Sequence, residues 1–393
     1  MEYRPFYLAR EWVGLGHRVT VVAASVSHLR TMPPAIRGSY SAEDIESIRY
    51  VWLKAPGYRG NGVRRVVNIF AFVGQLFRHR RRILRDSRPD VVIASSTYPL
   101  DIFPAYRIAK DSGARLIFEV HDLWPLTPIE LGDMSPRHPF IRLMQWAEDF
   151  AYRKADRVVS MLLFAAEHMQ EHGMSPHKFA HVPNGIAAME WQGIGEPVPP
   201  EHCEALARLK TQGQFILGYA GSHGLSNALT SFVDSAGLLK GKPVTLVLIG
   251  KGPEKEGLRR RAATAALDNV LFLPPVPRSS MPALLASMDA CFIGWNRKSI
   301  YRFGVSPNKL FDYMMAGRPV IHAIEAPGDL VAESGCGLST PPEDPQAIAE
   351  AALHLMALSL DEREAMGQRG RHYVLAHHDY RILARRFLEE IGT

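Results

Sequence analysis

The sequence predicts an α/β protein of two doubly wound, Rossmann-like domains facing a cleft, and three observations carry that prediction. At 393 residues the chain exceeds what one ordinary hydrophobic core organises. Short apolar runs alternate with longer amphipathic ones along its length, the pattern of parallel strands joined by crossover helices. A polar, proline-rich stretch, EWQGIGEPVPPEH at 190–202, separates two such series. An apolar fraction of 47% and a charged fraction of 22% are ordinary for a folded soluble chain.

In the first series the strands are read at HRVTVVAAS (17–25), IRYVWLKA (48–55), DVVIASS (90–96), RLIFEVH (115–121), RVVSML (157–162) and FAHVPN (179–184). Helical patterns lie between most of them, over 62–86, 102–112, 139–154 and 163–173. The second series reads QFILGYAG (214–221), VTLVLIG (244–250), NVLFLPPV (269–276), DACFIGW (289–295), RPVIHAI (318–324) and GLST (337–340). The expected organisation is a first domain at 1–187, a linker at 188–212, a second domain at 213–375, and a C-terminal helix at 376–393 packing back on the first domain. The chain opens on a helical pattern, YRPFYLAREWVGLGH (3–17), that runs straight into the strand from 17. Doubly wound domains open instead with a strand and a glycine-rich turn. The first strand and its loop are therefore expected to be absent from this chain.

Cys203, Cys291 and Cys336 are too widely spaced for a metal or disulfide framework, which suggests a reducing compartment. No apolar run reaches the roughly 20 residues needed to span a bilayer, and no signal peptide is evident. The net charge of +6 is concentrated in the region 54–88, where basic residues face a single acid, Asp86, around the apolar segment VVNIFAFVGQLF (66–77). Such a segment suits an anionic membrane surface, and equally a domain helix with a solvated basic face. No nucleic-acid module is recognised, so nucleic acid is not expected as a partner.

GVSPNKLFDYMMAGRPVI, residues 304–321, moves from a Gly/Ser/Pro loop to a helix and back to a strand. Ser306 suits the N-cap and Pro307 the first helical position. The amides of Asn308 and Lys309 then lie at a helix N-terminus, a natural anion site, and Lys309 adds a full charge. A lysine there opposes the helix dipole, a small local conflict that favours function over a purely structural helix. Asp312 shares the helix face, and a carboxylate can accept both hydroxyls of a ribose. Gly317 and Pro319 end the helix. Gly221 and Gly224, in GYAGSHGLSNAL (218–229), allow close backbone approach to phosphate.

Several motifs in order resemble the family 4 glycosyltransferases of GT-B architecture. They are HVPNGI (181–186), GYAGSHGLSNAL (218–229), LIGKGPEKEGL (248–258), VLFLPPVPRSSMPALLASMDACF (270–292) and the 304–321 stretch. HGLSNAL with SPNKLFDYM, supported by HDLWP (121–125), is similar to the bacterial surface-polysaccharide branch, near the colanic-acid and O-antigen N-acetyl-L-fucosamine transferases. The resemblance implies a retaining transfer of a hexose or N-acetyl amino sugar from a nucleotide diphosphate, most simply UDP, to a polyprenyl-diphosphate-linked glycan. The enzyme would work in the cytoplasm, peripheral on the inner face of the membrane. The reaction would be a same-face displacement in which the leaving phosphate helps deprotonate the acceptor. No Asp-x-Asp metal motif is found at a strand end, so a metal-independent reaction without cofactor is expected.

By the same resemblance the donor site comprises Gly221, His223, Gly224, Asn227, Lys251, Val276, Ser306, Pro307, Asn308, Lys309 and Asp312. His223 and Asn227 could donate hydrogen bonds; for His223 a loop-structural role stands beside ligand contact, and Lys251 also reads as an exposed turn lysine. Side chains of PPVPR (274–278), where Val276 sits, carry little information, the base being met there through backbone groups. His121 matches the family histidine that contacts the donor sugar, and Asp122 follows it; these two are the catalytic candidates, with capping an equal reading for Asp122. The family signature has two glutamates separated by seven residues. Asp312 takes the second position and Gly304 the first, so the usual sugar-hydroxyl acceptor is missing. The alternatives are a non-hydrolysing nucleotide-sugar epimerase, which shares the architecture, and an inactive scaffold that lost the first strand and loop.

Overall fold

The computed structural model describes every residue except 1, 2, 28, 29, 31–33, 59, 61, 97, 194 and 393. The chain divides into two compact units. One comprises Met1–Pro183 with Tyr380–Thr393, the other Asn184–Asp379.

The first unit contains β1 (Thr20–Ala24), β2 (Tyr40–Ile45), β3 (Ile48–Leu53), β4 (Val91–Ser95), β5 (Arg115–Val120), β6 (Arg157–Ser160) and β7 (Phe179–His181). They form two sheets, ordered β1-β3-β2 and β4-β5-β6-β7. Every pairing is parallel except β2 with β3. That hairpin is the departure from an all-parallel reading. Its strand YSAEDI is too acidic to stand out as apolar. Its two-residue turn, Glu46 and Ser47 at φ 49° and 64°, adopts the hairpin conformation without the glycine or asparagine that usually announces it.

Among the described residues β1 pairs only with β3 and β4 only with β5, so each keeps one unpaired edge. Val21, Val22, Val91, Val92 and Ile93 are accordingly only half-buried, whereas doubly covered parallel strands are normally sealed. The two sheets are nevertheless tied together. Buried Asn68, on the helix Val63–Ser87, donates to Val26 O and Pro56 O beyond β1 and β3 and accepts from Tyr98 Oη beyond β4. The helices Tyr3–Gly14 and Tyr380–Ile391 pack on each other within this unit. Trp12 meets Phe387 with ring centroids 5.1 Å apart and donates its indole N–H to Ala384 O at 3.0 Å.

The second unit is one parallel sheet of β8 (Phe215–Ala220), β9 (Val244–Ile249), β10 (Val270–Leu273), β11 (Ala290–Gly294), β12 (Val320–Ala323) and β13 (Gly337–Thr340). Its order is β10-β9-β8-β11-β12-β13. β8, β9, β11 and β12 are buried along their whole length, with an apolar cluster on each face. Phe232 lies flat on Phe292, centroids 4.2 Å apart. Ile321→Val, the loss of one methyl from this sealed layer, is expected to cost about 1 kcal/mol, read as a lowered unfolding midpoint. Residues 188–212 hold a 3-10 turn, Ala188–Trp191, and the helix Pro200–Thr211. The strand order reverses between β8 and β11, and in open α/β sheets ligands bind beyond the carboxyl ends at such a reversal.

Candidate active site

β8 runs into the loop that begins at Gly221, so the loop sits at that reversal. The turn after β9 forms its floor. His223 N donates to Lys251 O at 3.0 Å, and Glu254 N donates to His223 O at 3.0 Å. A side chain at Gly252 would fall 2.4 Å from His223 O, which explains the second glycine of LIGKGPEKEGL. Gly221, at φ 156°, leaves room for Lys309, whose Cε would lie 2.6 Å from a β-carbon there. The glycines thus bring the lysine and the loop backbone together.

Lys309 stands in the first turn of the helix Asn308–Met315. It is partly buried. Its Nζ donates to Tyr219 Oη at 2.6 Å and to Asn227 Oδ1 at 2.8 Å, and lies 4.2 Å from the centre of the Tyr219 ring. Tyr219 in turn donates to Ser222 O at 2.6 Å. Burial pulls the Lys309 pKa down to about 7, against the opposing field of Asp312. The side chain is therefore a poised cation held by neutral partners. Asp312, 6% exposed, does not stand open. Arg278 clamps both of its oxygens, at 2.5 and 2.7 Å.

Ser306 differs from its expected role. The helix starts one residue later, with Pro307 at the N-cap and no side-chain cap. Ser306 Oγ instead accepts from Asn184 N at 2.9 Å, and Asn184 Nδ2 donates to Ser306 O at 2.7 Å. Gly317, at φ 65°, ends the helix as read. Asn227 Nδ2 donates to Ser222 O. His223 is fully buried, and neither ring nitrogen has a hydrogen-bond partner among the described residues. Burial, with Lys255 and Lys309 nearby, lowers its pKa to about 4, so the ring is neutral near pH 7. Gly224 lies in the loop, Lys251 and Asn308 are exposed, and Val276 is half-buried against the core.

In the first unit His121 follows β5 directly. Its Nε2 lies 2.8 Å from Glu119 Oε2 and 3.1 Å from Ser95 Oγ, and its backbone N donates to Ser96 Oγ at 2.8 Å. Glu119 Oε1 accepts from Arg4 Nε at 2.8 Å, and Arg4 also donates to Pro183 O and Val182 O. Burial alone would push the Glu119 pKa up; Arg4 and His121 outweigh it and hold the carboxyl at about 2. Asp122 is exposed, its backbone amide on Ser96 Oγ at 3.4 Å.

Four of these side chains escaped the sequence reading. Tyr219 and Arg278 lie 90 and 34 residues from their partners, and no local pattern links them. Arg4 is 115 residues from Glu119. Glu119 alone left a signal, since it shares a strand face with His121 two residues on. Away from these groups, donor atoms of Glu148, Asp149 and His172 lie within 4.8 Å of one another. Gln145 Nε2 contacts all three.

Comparison with known proteins accounts for both units. Residues 1–185 match the model of a glycosyl transferase 4-like domain, and residues 214–357 that of glycosyl transferases group 1. A probable glycosyltransferase of Pseudomonas aeruginosa, WbjE, is 23% identical over 77% of this chain and 75% of its own length. Sucrose-phosphate synthase from Thermosynechococcus elongatus superposes with a TM-score of 0.74 over 98% of this chain and 91% of its own, at 15% identity. The Anabaena protein HepE, in complex with UDP and glucose, gives 0.63 over 88% and 87%, also at 15% identity. The chain belongs to the family 4 glycosyltransferases of GT-B architecture.

Proposed function

We propose that the protein transfers a hexose or N-acetyl amino sugar, with retention and without a metal, from UDP to a lipid-linked glycan of a bacterial surface polysaccharide. The observation that carries the donor reading is the convergence of Lys309, Tyr219, Asn227 and the Gly221–Gly224 loop at the start of Asn308–Met315. A diphosphate gains charge as the glycosidic bond breaks, and preorganised donors aimed at that charge lower the barrier. Lys309 answers that demand from a neutral surround, with the first amides of its helix. The buried His223 ring, whose nitrogens lack partners, is a further donor for the diphosphate. UDP and glucose bound to HepE support the choice of nucleotide. Asp312 accepts the ribose hydroxyls once Arg278 yields one of its oxygens. His121 contacts the donor sugar. The leaving phosphate takes the proton of the acceptor hydroxyl.

With a lipid-linked acceptor, we take the protein to be peripheral on the cytoplasmic face of an anionic membrane. The helix Val63–Ser87 supports this reading. One face is buried through Ile69, Phe72, Val73 and Leu76. The other exposes Val63, Val67, Phe70 and Phe77, followed by Arg78, Arg81 and Arg85. No helix among the described residues is long and apolar enough to cross a membrane. Changing Arg78, Arg81 and Arg85 together to Gln is expected to reduce binding to phosphatidylglycerol vesicles at least tenfold at low salt, and much less at 0.5 M salt, because the attraction is screened. Equal sedimentation of parent and variant would remove the helix from the membrane.

Incubation of the protein with labelled UDP-sugars and a polyprenyl-diphosphate-linked acceptor tests the function. A glycan product with retained configuration is expected. Interconversion of the nucleotide sugar without acceptor would establish the epimerase instead, and no turnover of any nucleotide sugar would overturn the transferase.

A further inference from the structure

The groups behind His121 form a directed chain. Arg4 and Glu119 are a buried ion pair, with side chains 4% and 5% exposed. Arg4 also holds two backbone carbonyls, so the guanidinium is fixed in direction. It takes one carboxylate oxygen of Glu119 and leaves the other, Oε2, facing His121 Nε2 at 2.8 Å. An ionised carboxylate only accepts hydrogen bonds. The hydrogen between the two residues must therefore sit on Nε2. Ser95 Oγ lies beside the same nitrogen at 3.1 Å, where it shares that hydrogen as a second acceptor. In a neutral ring this leaves Nδ1 with the lone pair, and among the described residues Nδ1 has no hydrogen-bond partner. The His121 side chain is 16% exposed, enough to meet a small group.

We propose that Glu119, anchored by Arg4, is a positioning residue that locks His121 as its Nε2–H tautomer and presents Nδ1 as an acceptor to a sugar hydroxyl. The second half of this statement rests on the glycosyl-transfer reading above; the tautomer does not. The proton on one ring nitrogen is set by the partner of that nitrogen, and the free nitrogen acquires the complementary role. An Nδ1 lone pair orients a hydroxyl by accepting from it. The opposite tautomer would present N–H there, and a hydroxyl would have to turn round.

Glu119→Gln makes the idea testable, because it keeps shape and removes charge. Arg4 would claim the amide oxygen and turn the amide NH2 toward His121. Nε2 would then have to accept, and the proton would move to Nδ1. Nitrogen-15 NMR of histidine-labelled full-length protein, with His121→Gln identifying the signal, reads the tautomer directly. The Nε2–H form is expected in the parent protein and the Nδ1–H form in Glu119→Gln. An Nδ1–H parent, or an unchanged tautomer in a folded variant, would overturn the proposal. Turnover gives a second reading that fold loss would not mimic. Glu119→Gln should lower kcat at least tenfold while the Kd for UDP, which binds in the other unit, stays within about twofold. A flipped tautomer with unchanged kcat would overturn the role toward the sugar. The NMR result stands whether or not the parent protein transfers sugar, so failure of the function and failure of the lock are separable.

Discussion

Lys309→Met loses nucleotide and gains stability. The parent side chain sits among Tyr219, Asn227 and the loop glycine rather than beside a free carboxylate, and burial lowers its pKa from 10.5 to about 7. Between those values the unfolded chain binds more protons at this site than the folded one. Stability of the parent therefore rises with pH across about 7 to 10.5, and the destabilisation is complete below 7. A shift of this size is worth about 5 kcal/mol as an upper bound, and the two lost hydrogen bonds return about half of it. Methionine keeps most of the volume and carries no charge. The variant should be more stable than the parent by about 2 kcal/mol at pH 6, and that advantage should vanish at about pH 9 and reverse by pH 10.5, where only the lost hydrogen bonds remain. UDP affinity should fall by about tenfold to a hundredfold, the worth of charge-assisted hydrogen bonds to phosphate. Thermal melts at the two pH values and calorimetric titration with UDP check both halves. A less stable variant with unchanged affinity would make Lys309 an ordinary structural residue.

Arg4→Met removes one member of a buried ion pair and strands the other. Glu119 would be left desolvated with only His121 opposite, and broken buried pairs cost about 3–5 kcal/mol. The loss should appear as a lower melting temperature of the first unit. Arg4→Met combined with Glu119→Leu should recover most of it, since no uncompensated charge then remains. The parent pair has its own pH signature. The Glu119 carboxyl, at about 2 when folded against an ordinary 4.5, adds stability that is complete above about pH 4.5 and is lost as pH falls toward 2. Melts of the Arg4→Met variant should lack that acid-side slope. A variant that melts with the parent would show that the pair is not coupled to folding.

The alternating apolar runs made the parallel strands legible, because buried parallel strands are continuous in sequence and bounded by polar turns. β2 was hidden because its edge position tolerates Glu43 and Asp44 and because its turn uses Glu46 and Ser47. Pro307, Asn308 and Lys309 alone made the start of Asn308–Met315 a candidate anion site. What surrounds it could not be read from them. Tyr219 and Asn227 reach Lys309 from a different strand and loop, and Arg278 reaches Asp312 from the turn after β10. Arg278 corrects the reading of that turn, since its side chain clamps the carboxylate expected to await a ribose. Ser306 shows the opposite error. Its composition suits a cap, but a long-range bond with Asn184 takes its hydroxyl, and the helix begins without it.

A crystal structure of the full chain with UDP would test the central claim most directly. The diphosphate is expected against the amides of Asn308 and Lys309 and within hydrogen-bonding distance of Lys309 Nζ, with the ribose hydroxyls on Asp312 and Arg278 turned aside. A diphosphate bound elsewhere, with Lys309 still donating to Tyr219 and Asn227, would contradict it.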